Sequence, residues 1–369
     1  MADIFVDPSI NAASGAGTVG SPYGDLQHAL DTVTQGTNGD EFHIKAGTSE
    51  IINAELDFTA YTVPTYLQKC VFRGYTSAAR DGGIGTIDGD GLYPIIADPA
   101  LGDISMIDMH LTNTGTGRMF YLGAYGFMLR CEISITTSPQ AVYLTTSGLA
   151  VNCHFHNCGS VGLYMGADGR AFGNYFKNDG ANDFSYAMDM VSRGVAVGNI
   201  FSLDGASSGI DVGGDKCVIH NNSILGGTST GSGINVTNVS YSRSASIANN
   251  IVEGFSGAGG QGIDWGGTTV RTFFTTAHNA CYNNTTDYVG TLLSHYYDDN
   301  EVTADFAATL FDGGTDSFAN RFVYFSPKND GNLWAGSLDG YTDKGAVQHA
   351  PAGGGLSFIN SRRNTMIGR

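Results

Sequence analysis

One seven-residue pattern recurs through the middle of this chain and limits the folds open to it. It reads FMLRCEI (127–133), LAVNCHF (149–155), RAFGNYF (170–176), VAVGNIF (195–201), CVIHNNS (217–223) and ASIANNI (245–251). Its fifth position holds Cys131, Cys153, Asn174, Asn199, Asn221 and Asn249, spaced 21 to 28 residues apart. A period of that size, in a chain with 53 glycines among 369 residues, is the signature of a solenoid. Apolar residues alternate with others inside each copy, which predicts a strand with one face inward.

A shorter pattern precedes the first copy and follows each of the six: MFYL (119–122), then AVYL (141–144), GLYM (162–165), AMDM (187–190), GIDV (209–212), GINV (233–236) and GIDW (262–265). The apolar neighbours of its third residue share one face. That residue therefore points the other way: Tyr121, Tyr143, Tyr164, Asp189, Asp211, Asn235 and Asp264. Two short strands per repeat, joined by Gly, Ser, Thr and Asn turns, leave no room for a helix. This excludes leucine-rich, ankyrin and tetratricopeptide repeats. The remaining solution is an all-β fold, a right-handed single-stranded parallel β-helix of three sheets. In it the Asn column 174, 199, 221, 249 stacks at one strand spacing, ~4.8 Å. Amide bonds to amide there, in turns whose left-handed geometry Asn tolerates.

The flanks differ from the coils. Residues 1–66 read as an N-terminal cap, with a strand at 4–6, a Gly/Ser/Ala-rich loop at 9–23 and a strand at 41–47. Between them lies an amphipathic helix at 25–33, with Leu26, Ala29, Leu30 and Val33 on one face. A helix there covers the open end of a solenoid, which otherwise exposes its core and an unpaired edge. Coils occupy 67–290, the last of them degenerate around 272–282. An irregular, aromatic-rich C-terminal cap spans 291–350. A Gly-rich basic tail, 351–369, ends in Arg362, Arg363 and Arg369 and suits docking on an acidic surface or a neighbouring copy.

Charge narrows the partners. The formal net charge is −17 with 14% charged residues, which argues against nucleic acid or an anionic membrane as partner. Neutral glycans remain, and calcium is the one cofactor the acidity permits. No metal set is expected. Cys70, Cys131, Cys153, Cys158, Cys217 and Cys281 match no zinc spacing and read as free thiols of a reducing compartment. His154 and His156 face outward on either side of Phe155 without a third ligand in view, and read as surface residues. Residues 1–8 carry neither the basic region nor the apolar run of a signal peptide, and no stretch has the length and apolarity of a membrane span. Folding in a cytoplasm is the expectation.

The opening strand, loop, helix and strand resemble the start of right-handed parallel β-helix proteins of the pectate-lyase-like superfamily. The later NLWAGSL (332–338) and DGYTDKGAVQ (339–348) resemble the closing segment of bacterial and phage β-helix proteins, phage tailspike and virion proteins among them. With the coils, the resemblance covers most of 1–348. It implies the fold and leaves function open, because such folds host polysaccharide lyases, glycoside hydrolases, tailspikes, decoration proteins and adhesins. No catalytic motif of a named lyase or hydrolase family occurs.

Three functions stay in view. The first is a phage virion subunit, a spike, fibre or head-decoration protein. It would be made in the host cytoplasm, homotrimeric, joined to other virion proteins through 351–369, and in contact with host-surface glycan. The second is a polysaccharide lyase or glycoside hydrolase, and the third a bacterial surface adhesin. The candidate glycan-binding column is Tyr121, Tyr143, Tyr164, Asp189, Asp211, Asn235 and Asp264. Tyr rings offer flat amphipathic faces to sugars, and Asp and Asn bond their hydroxyls. For an enzyme the catalytic candidates are Asp189, Asp211 and Asp264. Neighbouring coils place Asp189 and Asp211 about 5 Å apart, a retaining-glycosidase spacing. At that distance two carboxylates repel by on the order of 3 kcal/mol at an effective dielectric of about 20. A lyase would need a base, and nothing puts Lys177, Arg193 or Lys216 in the column.

Overall fold

The computed structural model describes residues 1–10, 15–61, 68–96, 103–112, 120–135, 140–178, 184–205, 207–236, 245–266 and 274–289, with the short strands Val347–Gln348 and Ser357–Phe358. The chain divides into two compact units, Met1–Gly166 and Ala167–Arg369. The described residues of each form a parallel β-solenoid built on three sheets, consistent with the right-handed parallel β-helix that the repeat predicts.

In the first unit, one sheet runs through Ala2–Val6, Asp40–Lys45, Cys70–Tyr75, Ile104–Ile107, Phe127–Leu129 and Leu149–Val151, every neighbour parallel. Its inward column is Ile4, Phe42, Phe72, Met106, Met128 and Ala150, all buried. The second sheet holds Ser49–Ile51, Gly85–Asp88, Met109–Thr112, Glu132–Ser134 and His154–His156. The third holds Tyr121–Leu122, Gln140–Leu144 and Val161–Met165. The first sheet thus starts inside 1–66. The segment carrying the helix also supplies strands.

The second unit repeats the plan. Its first sheet is Arg170–Phe172, Val195–Val197, Cys217–His220, Ala245–Ala248 and Phe274–Ala277. Its second is Tyr175–Lys177, Ile200–Ser202, Ser223–Leu225, Ile251–Glu253 and Ala280–Tyr282. Its third is Tyr186–Met190, Ser208–Val212, Ser232–Asn235, Gln261–Asp264 and Thr286–Val289. Inside, Phe176 and Phe201 stack at 4.8 Å with their planes 6° apart.

The seven-residue pattern is not one strand, as its alternation suggests. A residue in the left-handed region breaks each copy: Arg130, Asn152, Gly173, Gly198, Asn221 and Asn249, with φ between 53° and 69°. The residues before it join the first sheet and those after it join the second. The shorter pattern supplies the third sheet.

The amide ladder is also displaced by one residue from the expected column. Val195 pairs with Val218 and Val197 with His220, so the left-handed positions are Gly198, Asn221 and Asn249, and the ladder runs Asn174, Asn199, Asn222, Asn250, Asn279. Strands Cys217–His220 and Ala245–Ala248 are one residue longer at their starts than Val195–Val197. Counting from the first apolar residue therefore lands on the bend instead of the ladder.

Each ladder amide is fully used. Asn222 Oδ1 accepts from Asn199 N at 2.9 Å and Nδ2 at 3.0 Å. Asn222 Nδ2 donates to Asn250 Oδ1 at 3.0 Å and to the Ala196 carbonyl at 3.1 Å. Asn174 and Asn250 repeat the same pairing with Asn199 and Asn279. Asn221, by contrast, is buried with neither side-chain polar atom hydrogen-bonded. In the first unit the buried Cys131 and Cys153 follow the left-handed residue, each thiol donating to a carbonyl two residues back.

The helix is Leu26–Thr32, one residue shorter at each end than 25–33 suggests. Asp25 caps it, accepting from His28 N at 2.6 Å. Leu26, Ala29 and Leu30 are buried, whereas Val33 has already turned extended and is half-buried. The buried carboxyl of Glu50 accepts from Leu26 N at 2.9 Å, and burial pushes its pKa up to about 7. The C-terminal cap 291–350 and the tail 351–369 lie outside the described residues, apart from the antiparallel pair Val347–Gln348 with Ser357–Phe358.

The displaced ladder has a direct test. Asn222→Ala strands buried partners on both sides and is expected to cost on the order of 3 kcal/mol. Asn221→Gly relieves a left-handed residue whose amide bonds to nothing, and should cost less than about 1 kcal/mol. Urea denaturation of the two variants separates the alternatives; equal losses would place the ladder at Asn221 after all.

Candidate functional site

The third-sheet residues expected to face outward do stand in register. In the first unit, Tyr121, Tyr143 and Tyr164 are direct partners across neighbouring strands. In the second, Asp189 pairs with Asp211, Asp211 with Asn235, and Asn235 with Asp264. Their apolar neighbours, Leu144, Leu163, Met188, Met190, Ile210 and Val212 among them, are buried. The glycine that opens two of these patterns is forced by close approach. A Cβ on Gly209 would meet the Gly233 carbonyl at 2.4 Å, and one on Gly233 would meet Val252 Cγ1 at 2.2 Å.

The tyrosines are arranged differently from a row of open faces. Ring centroids lie 4.7 Å apart for Tyr121 and Tyr143 and 4.5 Å for Tyr143 and Tyr164, tilted 34° and 17°. Facing rings cover one another. What Tyr143 presents is its edge and hydroxyl, and Tyr121 is buried.

The acidic ladder is also less open than its position in the pattern implies. Asp211 is only 6% exposed, and Asp189, Asn235 and Asp264 are half-buried. Asn235 Nδ2 donates to Asp211 Oδ1 at 2.7 Å, which leaves Asn235 Oδ1 buried and without a hydrogen-bond partner. Asp264 Oδ1 accepts from Gly266 N at 2.7 Å. Burial raises Asp189 to a pKa of about 6. Asp211 also rises to about 6, through burial first and the Asp189 charge second, with the Asn235 bond opposing.

Tyr186, not anticipated from the sequence, belongs beside this pair. Burial, then Asp211 and Asp189, hold its phenol above the usual range. It lies three residues ahead of Asp189, where a two-residue period gives no reason to look. The basic residues near in sequence are elsewhere. Arg193 Nε and Nη2 bind Asp168 at 2.7 and 2.8 Å, Lys177 ends a second-sheet strand, and Lys216 sits in a turn at φ 58°.

A second group lies on the second sheet of the first unit. His154 and His156 face outward as expected, but the third ligand missing from the sequence reading is there. Donor atoms of His110, Glu132 and His156 lie within 4.8 Å of one another, and His156 Nε2 is 2.9 Å from Glu132 Oε1. The signal was legible in HLT (110–112), EIS (132–134) and HFH (154–156), which are equivalent strands. It was missed because 104–111 reads as a single strand until Asp108, at φ 54°, breaks it.

No protein-family model matches the chain, and no curated protein matches it. Among solved structures it is similar to XylC, described in complex with xylose. The TM-score is 0.43 at 14% identity, over 74% of this chain and 54% of that one. It is also similar to the pectin methylesterase from Aspergillus niger, with TM-score 0.27, 13% identity, and coverage of 84% and 91%. The chain spans about half the length of the XylC chain. Likeness at these scores carries nothing about activity or substrate. Among the described residues no helix is long and apolar enough to cross a membrane, and all six cysteines are free and buried.

The acidic pair fixes a pH dependence. Its folded-state pKa values lie above the ~3.9 of an unfolded Asp. The stability each contributes is therefore fully present below about pH 4 and lost as pH rises through about 6. Partial solvent screening reduces the effect to about 1–2 kcal/mol per group. Asp189→Asn should stabilise the protein by that amount at pH 7.5 and by nothing at pH 4. Thermal melts across that range check it, and a gain independent of pH would refute it.

Proposed function

We propose that this chain is a glycan-binding β-solenoid that serves as a subunit of a phage virion, a spike, fibre or head-decoration protein assembled as a homotrimer. The observation that carries the glycan part is the polar ladder of the third sheet in the second unit. Asp189, Asp211, Asn235 and Asp264 stand there in register on successive strands, Asp189, Asn235 and Asp264 half-buried at the surface. A hydroxyl-rich polymer matches a ladder of Asp and Asn repeated at each strand spacing. Within the first unit, Tyr143 and Tyr164 offer hydroxyls of their own to such a polymer. The virion part draws support from six free, buried thiols, which suit folding under reducing conditions. Attachment to other virion proteins through 351–369 is part of the same proposal.

A second reading has its own observation. Asp189 and Asp211 titrate near pH 6 on adjacent strands, so one can hold a proton while the other is ionised, the division of labour of a glycoside hydrolase. Within that reading the catalytic residues are Asp189 and Asp211, with Asp264 committed to the Gly266 amide.

Light scattering after size-exclusion chromatography, with and without residues 351–369, tests the assembly, and a host-surface glycan array tests the ladder. A trimer is expected, with glycan retention lowered at least about tenfold by the Asp189→Ala/Asn235→Ala double variant through loss of ladder hydrogen bonds. A monomer in both forms that retains no glycan would overturn the proposal. Release of new reducing ends from a polysaccharide, abolished by Asp189→Asn or Asp211→Asn, would replace it with the hydrolase.

A further inference from the structure

Three successive strands of one sheet converge on a single point of the first unit. Met109–Thr112, Glu132–Ser134 and His154–His156 lie side by side, with Glu132 in direct register with His110 on one side and His154 on the other. His156, two residues along, reaches diagonally back to Glu132, its Nε2 at 2.9 Å from Oε1. With His110 this gives two imidazoles and one carboxylate whose donor atoms all fall within 4.8 Å. All three are half-buried, the Glu132 side chain 36% exposed and His156 19%, so the cluster is open to an ion and to water.

We infer that His110, Glu132 and His156 form a binding site for one divalent transition-metal ion of the zinc, cobalt or nickel kind, with water completing its coordination. A tetrahedral ion with bonds of about 2.0–2.1 Å holds its donors about 3.3 Å apart. Side-chain rotation within the 4.8 Å cluster reaches that spacing. Along the His156–Glu132 contact, the ion takes the place of the shared proton. Nitrogen donors select this class of ion over calcium or magnesium, which prefer oxygen throughout.

The surroundings are those of a metal-binding set. His110 Nε2 is hydrogen-bonded to Ser134 Oγ at 2.9 Å, and Ser134 donates to Thr112 Oγ1 at 2.9 Å. This outer partner fixes a ring in the way that second-layer groups orient ligands. The His154 ring stacks on His156 at 4.4 Å and 19°, which holds the second imidazole in plane.

A second cluster in the first unit shows what a site already balanced looks like. Asp3, Glu41 and His43 also gather their donor atoms, but Arg80 Nη2 binds Asp3 and Glu41 at 2.8 and 2.7 Å, and Arg73 binds Glu41. Two guanidinium groups supply the positive charge there. Around Glu132 stand the imidazoles of His156, His110 and His154, none of them a permanent cation. An ion at this point ties three coils together, and a bound ligand stabilises the folded chain in proportion to its saturation.

The test uses the full-length untagged chain, stripped with a chelator and dialysed. It is titrated with zinc by calorimetry and with cobalt by visible absorption. One ion per chain is expected, together with ligand-field bands of a low-coordinate nitrogen–oxygen cobalt site and a melting temperature that rises with zinc. His110→Ala and His156→Ala should each weaken zinc binding at least about tenfold, the range seen when even outer-layer partners are lost. Glu132→Gln should also weaken it, whereas His28→Ala, on the helix, should not. Excess calcium should fail to displace the cobalt. The absence of cobalt bands in the unmodified chain would overturn the site without recourse to any variant. So would displacement by calcium, or zinc binding of unchanged affinity in a folded His110→Ala/His156→Ala double variant.

Discussion

Every coil must turn a corner while keeping its backbone polar groups satisfied, and in the second unit a buried amide ladder meets that demand. At the corner one residue takes a left-handed conformation and the next turns its side chain inward. From Asn199 onward, the amide oxygen takes the main-chain and side-chain N–H of the rung before, and the amide nitrogen gives one proton onward and one to a carbonyl. A hydrogen bond of this kind contributes about 1 kcal/mol net, whereas a buried group left unpaired costs about 1–3 kcal/mol. A rung is therefore cheap to keep and expensive to lose. The first and second sheets meet at this column, so strand register follows from it.

The third sheet carries no such self-satisfied ladder. Asp189 and Asp211 stand in adjacent strands, raised in pKa by burial and, for Asp211, by its neighbour's charge. Asn235 bonds one of them and leaves its own oxygen unpaired. This part of the fold holds an unfavourable arrangement at neutral pH that the Asn column avoids entirely. Local departures from satisfied polar groups are where binding chemistry tends to reside, and here the departure coincides with the strand face that a solenoid repeats most regularly.

The first unit shows two ways of balancing acidic charge on sheet surfaces. Near the N-terminal strand, Asp3 and Glu41 meet arginines. On the second sheet, Glu132 meets imidazoles. The difference is chemical: a guanidinium is a permanent cation, while a neutral imidazole is also a lone-pair donor. The same strand geometry thus yields a closed ion-pair network in one place and a ligand set in the other.

The sequence by itself determined the solenoid, because a 21–28-residue period with short alternating strands admits no helix per repeat. It also determined which residues share the third-sheet column, since Tyr143 and Tyr164, or Asp211 and Asn235, fall in register through a strict two-residue alternation. Tertiary structure decided the rest. The ladder sits at Asn222 and Asn250, because two strands gained a residue and only inter-strand pairing sets the frame. The tyrosine faces close on each other, because a spacing near 4.8 Å is a ring-stacking distance. Asp211 is nearly buried, because its exposure depends on Asn235 in the next coil. His110, Glu132 and His156 meet although 46 residues separate the first from the last, because a parallel coil brings back to one point what the chain keeps apart.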